Sequence, residues 1–412
     1  MWKGELAVFL EVTQRRNPGL IDAAVTLHQS GLLPSNTILL DADAVGRNAR
    51  ILRGIADEVG LRLYFMLKQI RNPQILDFIL DSDRRNETVC VDPDDAKLIW
   101  NAGHGIGHVG HLVQIPAHQI PEILRMRPEV VTVFGVEKAR QISEAAKALG
   151  IQQQLLLRVA GKNDIRFPSM EGGIWEEELG RAAREIGELS NVKIVGVTNF
   201  PAVSYGETGR PSPTPNLETS LRCAERLRDM GFEITQVNAP GNTCSVTIRV
   251  LAEEGATHVE PGHGLTGTTP FSRTYDLPET PAMIYVTEVL HSWDGLSYVQ
   301  GGGFYWEDQM ILGSDFRNRV LVGRDPESIQ DGEAVFLGCS PSDQRILIDY
   351  YGVLERGTKQ EIAVGDTALF AFRTQAFAAR SANTAVIRGI SEADPVLMGV
   401  YDRCGHRLRR WP

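Results

Sequence analysis

The chain has 412 residues, 42% hydrophobic and 23% charged, with 40 Gly, 21 Pro and a formal net charge of -10. That length holds two ordinary domains, and the balance is that of a soluble globular protein. It excludes the basic footprint of a nucleic-acid surface, and no apolar stretch approaches membrane-spanning length.

The start, Met1-Trp2-Lys3-Gly4-Glu5, lacks the build of a signal peptide, which predicts a cytoplasmic protein. Residues 1–35 show no decisive pattern and are expected to pack on a C-terminal β domain. Over 44–59, Val45, Ala49, Leu52, Ile55 and Val59 recur at helical spacing. Strand-like runs then alternate with helical ones. The strands are expected near 62–67, 88–91, 109–114, 130–133, 154–159, 193–197, 234–238 and 257–260. Helical patterns lie near 73–81, 94–101, 117–126, 136–149, 174–189, 216–230 and 243–254. Continuous apolar runs such as Leu155-Leu156-Leu157 suit strands buried on both faces. Eight strands separated by seven helices predict an α/β protein, a parallel (β/α)8 barrel over 36–275. From about 276 helical periodicity fades. Runs such as Ile284–Leu290, Val320–Val322, Arg345–Tyr351 and Thr367–Phe372, with turn signals like Gly365-Asp366, predict a mostly antiparallel β domain over 276–412.

Barrels of this kind do their chemistry at the C-terminal ends of the strands. Lys68 closes the run Leu63-Tyr64-Phe65-Met66-Leu67 and precedes a loop and a helix. A lysine at the mouth of an apolar strand has its ammonium disfavoured and is an amine nucleophile for a carbonyl, although a surface lysine can occupy such a place. After the seventh strand comes Asn238-Ala239-Pro240-Gly241-Asn242-Thr243-Cys244-Ser245, opening a helix. After the eighth comes Glu260-Pro261-Gly262-His263-Gly264-Leu265-Thr266-Gly267. Glycine turns and helix N-termini in these two places suit a phosphate. An amine nucleophile and a phosphate cradle on one rim fit pyridoxal 5'-phosphate.

Two other patterns are weaker. Gly105-Ile106-Gly107-His108-Val109-Gly110 spells a dinucleotide fingerprint, but a helix precedes it and a strand follows, the reverse of what that fingerprint needs. His104, His108 and His111 lie close together, yet without metalloprotease spacing or a neighbouring carboxylate. No metal is expected there. The five scattered cysteines include no C-x-x-C pair and fit free thiols rather than a zinc site.

From Asp41-Ala42-Asp43-Ala44 to the C-terminal β domain, the chain resembles the alanine racemase-like, fold-type III pyridoxal-phosphate enzymes, and among them the YhfX-type members. The resemblance implies that Lys68 is the Schiff-base lysine. It implies a phosphate loop at Gly241, Asn242 and Ser245, where Thr243 adds a hydroxyl donor, and a second phosphate turn at Gly262, His263 and Gly264. Asn199 falls where many members place a ring-contacting histidine. Alanine racemases carry an arginine where this chain has Glu260; its Glu-Pro-Gly reads as in the basic-amino-acid decarboxylases of the same fold. A carboxylate there holds a proton on the pyridine nitrogen and makes a strong electron sink. Arg166 falls where racemases keep an arginine beside the cofactor oxygen or the substrate carboxylate. Tyr298 lies near the position of their catalytic tyrosine. Cys339 and Asp343 echo a decarboxylase cysteine and aspartate, while Ser342-Asp343-Gln344 echoes a racemase Met-Asp-Gln.

The expected function is a pyridoxal-phosphate-dependent amino-acid racemase. It would act on a small amino-acid substrate, as a homodimer with shared active sites, with no nucleic-acid or membrane partner. Lys68, Tyr298 and Cys339 are its catalytic candidates and Asp343 its substrate contact. The alternatives are a decarboxylase of the same fold, a non-catalytic pyridoxal-phosphate homeostasis protein and, without that cofactor, a Schiff-base enzyme acting on a sugar phosphate.

Overall fold

A computed structural model describes residues 9–206, 209–301, 318–338, 350–355, 361–373 and 381–409. The chain divides into two compact units. One holds 49–68 and 79–264; the other holds the described parts of 4–48, 69–78 and 265–412.

The first unit is a parallel barrel. Its strands are Arg62–Leu63 continued by Phe65–Met66, then Thr88–Cys90, His108–Val109, Val130–Val133, Gln153–Ala160, Val192–Thr198, Gln236–Asn238 and His258–Val259. Each pairs in parallel with the next, and the last pairs with the first through His258↔Arg62 and Val259↔Leu63. Parallel neighbours need a crossover, and helices such as Pro93–Asn101, Val136–Ala148, Leu179–Gly187, Pro215–Asp229 and Ser245–Glu253 supply it. The third strand is shorter than its apolar run suggests. The helix expected over 174–189 starts only at Leu179, because Ile174 and Trp175 pair with the fifth strand.

An apolar plug of Tyr64, Met66, Val89, Val91, Val130, Leu156 and Val195 fills the barrel interior. Burying each aliphatic member contributes about 1.5–3 kcal/mol, so the interior is a packed core rather than a pore. Side chains two residues apart on a strand share a face. The next interior positions after Val130 and Leu156 are therefore Thr132 and Arg158. The barrel core turns polar as it approaches the C-terminal ends of the strands.

The second unit is built on a nine-stranded, mostly antiparallel sheet. Helices Phe9–Arg16 and Pro18–Gln29 pack on it, with Leu10, Leu20, Ile21 and Val25 in one core with Ile284, Val286, Leu369 and Ile387. Strand Thr37–Asp41 lies in this sheet and not in the barrel. It runs antiparallel to Met283–Trp293 and parallel to Asn383–Arg388. Among the described residues, no helix is long and apolar enough to cross a membrane.

Candidate active site

The polar layer of the barrel centres on Glu260, the residue after the last strand, whose side chain is 1% exposed. Its Oε1 accepts from His108 Nδ1 at 2.7 Å and from Asn238 Nδ2 at 2.7 Å. An ionised carboxylate only accepts, so His108 Nδ1 carries the hydrogen, and its Nε2 meets Thr132 Oγ1 at 2.6 Å. Asn238 Nδ2 also reaches Thr198 Oγ1 at 3.2 Å. Oε2 of Glu260 has no hydrogen-bond partner and stands 3.6 Å from His111 Nε2. Burial opposes the ionised form. The imidazoles of His111 and His108, with the hydrogen bonds from His108 and Asn238, outweigh it and hold the carboxyl well below its usual range. Burial pushes His111 down to about 3, against the pull of Glu260.

Lys68 stands at the end of the first strand, half-buried, and its positive charge is one of those depressing His111. The backbone ties it to the Glu260 turn: Tyr64 N donates to Val259 O at 3.0 Å, and Met66 N to Pro261 O at 2.9 Å. The two glycine turns touch each other. A Cβ on Gly264 would come 2.6 Å from the carbonyl oxygen of Thr243. Gly241 has φ +121 and Asn242 φ +48, the left-handed region in which glycine and asparagine are tolerated. Thr243 is 2% exposed and its Oγ1 has no partner. Ser245 opens the helix Ser245–Glu253. Gly262 and His263, between Glu260 and Gly264, are buried.

Other expected site residues stand differently. Asn199 has both ends of its amide engaged by protein. Its Nδ2 donates to Asp164 Oδ2 at 2.7 Å, and its Oδ1 accepts from Phe200 N at 2.8 Å and Asn216 Nδ2 at 3.2 Å. It braces the loops after the fifth and sixth strands. Arg166 donates to Gly161 O and lies over the Trp175 ring at 4.9 Å, as a loop arginine does. Tyr298 belongs to the second unit, where it stacks flat on His291 with centroids 4.4 Å apart and meets the edge of Tyr351. Cys339 and Asp343 lie outside the described residues.

His108, His111, Arg158 and Asn238 are the members that sequence reasoning passed over. The histidines were set aside for want of a carboxylate, and the fold brings one from 152 residues away, so that His108, His111 and Glu260 offer ligand atoms within 4.8 Å of one another. The hydrogen bond from His108 commits the nearer carboxylate oxygen and favours a network over a metal set. Arg158 had a signal: it is a charge inside the apolar run Leu155-Leu156-Leu157-Arg158-Val159.

The residues present fit pyridoxal phosphate. The unpartnered Oε2 of Glu260 can accept from a protonated pyridine nitrogen. The touching turns with the unpartnered Thr243 Oγ1 suit a phosphate, and Lys68 would offer the amine.

Residues 40–270 match the alanine racemase N-terminal domain, and 284–397 match the YhfX-like C-terminal domain. The uncharacterized protein YhfX of Escherichia coli (strain K12) is 34% identical over 97% of this chain and 100% of its own. Alanine racemase from Clostridium difficile 630 in complex with cycloserine superposes with a TM-score of 0.61 at 16% identity, over 90% of this chain and 99% of that one. D-threonine aldolase from Filomicrobium marinum gives 0.62 at 15% identity, over 90% and 95%. One fold thus carries more than one reaction. With a matching domain model over more than half its length and a near full-length relative, this chain belongs to the YhfX-type branch of the alanine racemase-like, fold-type III family of pyridoxal-phosphate enzymes.

Proposed function

We propose that this protein is a pyridoxal-phosphate-dependent amino-acid racemase. The observation that carries the pyridoxal-phosphate part of the reading is Glu260, a buried carboxylate with one oxygen spoken for and the other unpartnered, and racemisation rests on the likeness to the alanine racemases. A bound pyridoxal phosphate supplies an electron sink for a carbanion at the substrate α-carbon. This chain's residues do the rest. Lys68 gives the covalent anchor and moves the α-proton on its own side of the ring. Glu260 keeps a proton on the ring nitrogen, and His108 and Asn238 keep Glu260 in place. The turns at Gly241–Ser245 and Gly262–Gly264 hold the phosphate. Tyr298 is the candidate for the proton on the opposite side, supplied by the partner subunit of a homodimer.

Decarboxylation is the second reading, favoured by Glu260 standing where alanine racemases carry arginine. The deciding experiment incubates purified protein and pyridoxal phosphate with a panel of L- and D-amino acids and follows both enantiomer composition and carbon dioxide. Appearance of the opposite enantiomer without carbon dioxide is the expected result. Carbon dioxide release would establish the second reading. Cofactor held on Lys68 with neither product would leave a non-catalytic binder.

A further inference from the structure

In the second unit, strand Met283–Trp293 returns as Leu296–Gln300 through the two-residue turn Asp294-Gly295, with φ +49 and +78. Asp-Gly is a favoured pair for such a hairpin, and the turn sets the register. Trp293 pairs with Leu296, Ser292 with Ser297 and His291 with Tyr298. The ladder then slips. The next pair is Val289↔Val299, and both valines are buried. Leu290 is left over as the extra residue of a β-bulge, 38% exposed. A regular ladder continued from Val289↔Val299 would set Leu290 opposite Tyr298. The bulge puts His291 there instead, which is how a strand re-aims a side chain.

Both rings are half-buried, and they lie flat on each other, with centroids 4.4 Å apart and planes 6° from parallel. Tyr351, on the neighbouring strand Tyr351–Glu355, meets both edge-on, 5.0 Å from His291 and 6.3 Å from Tyr298. The imidazole nitrogens bond in the plane of their ring, so in a flat stack neither is aimed at the phenol oxygen. Among the described residues, neither the Tyr298 hydroxyl nor the His291 nitrogens take a hydrogen bond. The phenol is thus held by its face and its edge, while its oxygen is uncommitted to the protein.

We propose that His291 is the positioning residue of Tyr298: its ring face fixes the phenol plane for proton exchange with the substrate α-carbon on that side alone. This rests on the function proposed above. In one direction a Tyr298 phenolate takes the α-proton and becomes the phenol; in the other the phenol gives the proton back. Lys68 makes the matching transfers on the opposite side. Orientation is worth much to such a step, and a held ring plane costs none at the moment of reaction.

The test uses the full chain loaded with pyridoxal phosphate, as wild type, Tyr298→Phe, His291→Leu and His291→Phe. In deuterium oxide, loss of the α-proton signal is followed separately for the L- and D-forms of each amino acid in the panel above. Tyr298→Phe identifies the enantiomer whose α-proton Tyr298 takes. His291→Leu should slow that same enantiomer by about 10- to 100-fold and leave the other within about twofold of wild type. His291→Phe, which keeps a flat ring without nitrogens, should restore most of the loss. The ratio of the two rates is read within one preparation, so a variant that folds in lower yield still gives the answer. A ratio unchanged in His291→Leu, or both enantiomers slowed alike, overturns this inference alone. Equal loss in His291→Phe and His291→Leu also overturns it, by giving the role to the ring nitrogens. A wild type that exchanges no α-proton in the panel overturns the proposed function, and this inference with it.

Discussion

Glu260→Gln separates the carboxylate's charge from its shape. The amide has the same size, and its oxygen can keep accepting from His108 Nδ1 and Asn238 Nδ2, now both at 2.7 Å. The NH2 then takes the place of Oε2, the oxygen without a partner. A donor stands where an acceptor for the ring N–H is needed, and the negative charge is gone. The fold should survive, because no atom is removed and the apolar plug is untouched. Cofactor should still bind through Lys68 and the phosphate turns. Turnover should fall most, because the electron sink matters only on the way through the reaction. A charge-assisted contact in a buried site is worth roughly 2–4 kcal/mol, a loss in kcat on the order of 30- to 1000-fold. The assay is steady-state racemisation by chiral analysis, beside cofactor titration and thermal melting. A Glu260→Gln protein that binds cofactor and turns over within about threefold of wild type would refute the reasoning, by placing Oε2 away from the ring nitrogen.

Lys68→Ala should leave no label after borohydride treatment with pyridoxal phosphate, while phosphate contacts still hold the cofactor more weakly; a labelled peptide elsewhere in the chain would displace Lys68. Gly264→Ala would put a methyl group 2.6 Å from the carbonyl oxygen of Thr243, backbone that cannot swing aside. It should lower stability by about 1–3 kcal/mol in a denaturant titration and loosen cofactor binding, and a neutral result would mean that the two turns do not touch. Acid should destabilise the apo-protein through His111 and His258, both pushed to about 3 from 6.5 chiefly by burial. Their folded pKa values lie below the unfolded ones, so the unfolded chain takes up protons first as pH falls from 6.5. Stability then drops by about 1.4 kcal/mol per pH unit for each histidine. His111→Gln should remove its share of that slope between pH 6 and 5 in denaturant midpoints, and an unchanged slope would show that His111 is already protonated in the fold. Mixing Lys68→Ala with Tyr298→Phe subunits should restore part of the activity lost in each, whereas a fully active monomer in sedimentation would end the idea of shared sites.

The sequence alone determined what is local. A parallel barrel repeats one unit, an apolar strand and an amphipathic helix, and each copy carries its own periodicity. So the eight strands could be placed to within a few residues, and the ends of the first, seventh and eighth could be singled out by Lys68 and two glycine turns. The tertiary structure decided what depends on partners far along the chain. The run Thr37-Ile38-Leu39-Leu40-Asp41 falls inside the span 36–275 expected for the barrel, yet it pairs in the other sheet, through Leu40↔Met283 and Leu39↔Ala385. Asn199 stands by resemblance where many members place a ring-contacting histidine, and only the fold shows its amide bonded to Asp164 and Asn216. The histidines at 108 and 111 lacked a carboxylate in the sequence because theirs arrives from the end of the last strand. Closing the barrel brings these side chains to one level above an apolar plug. There each buried charge must either find a partner or await a ligand, and which of the two holds depends on neighbours that only barrel closure supplies.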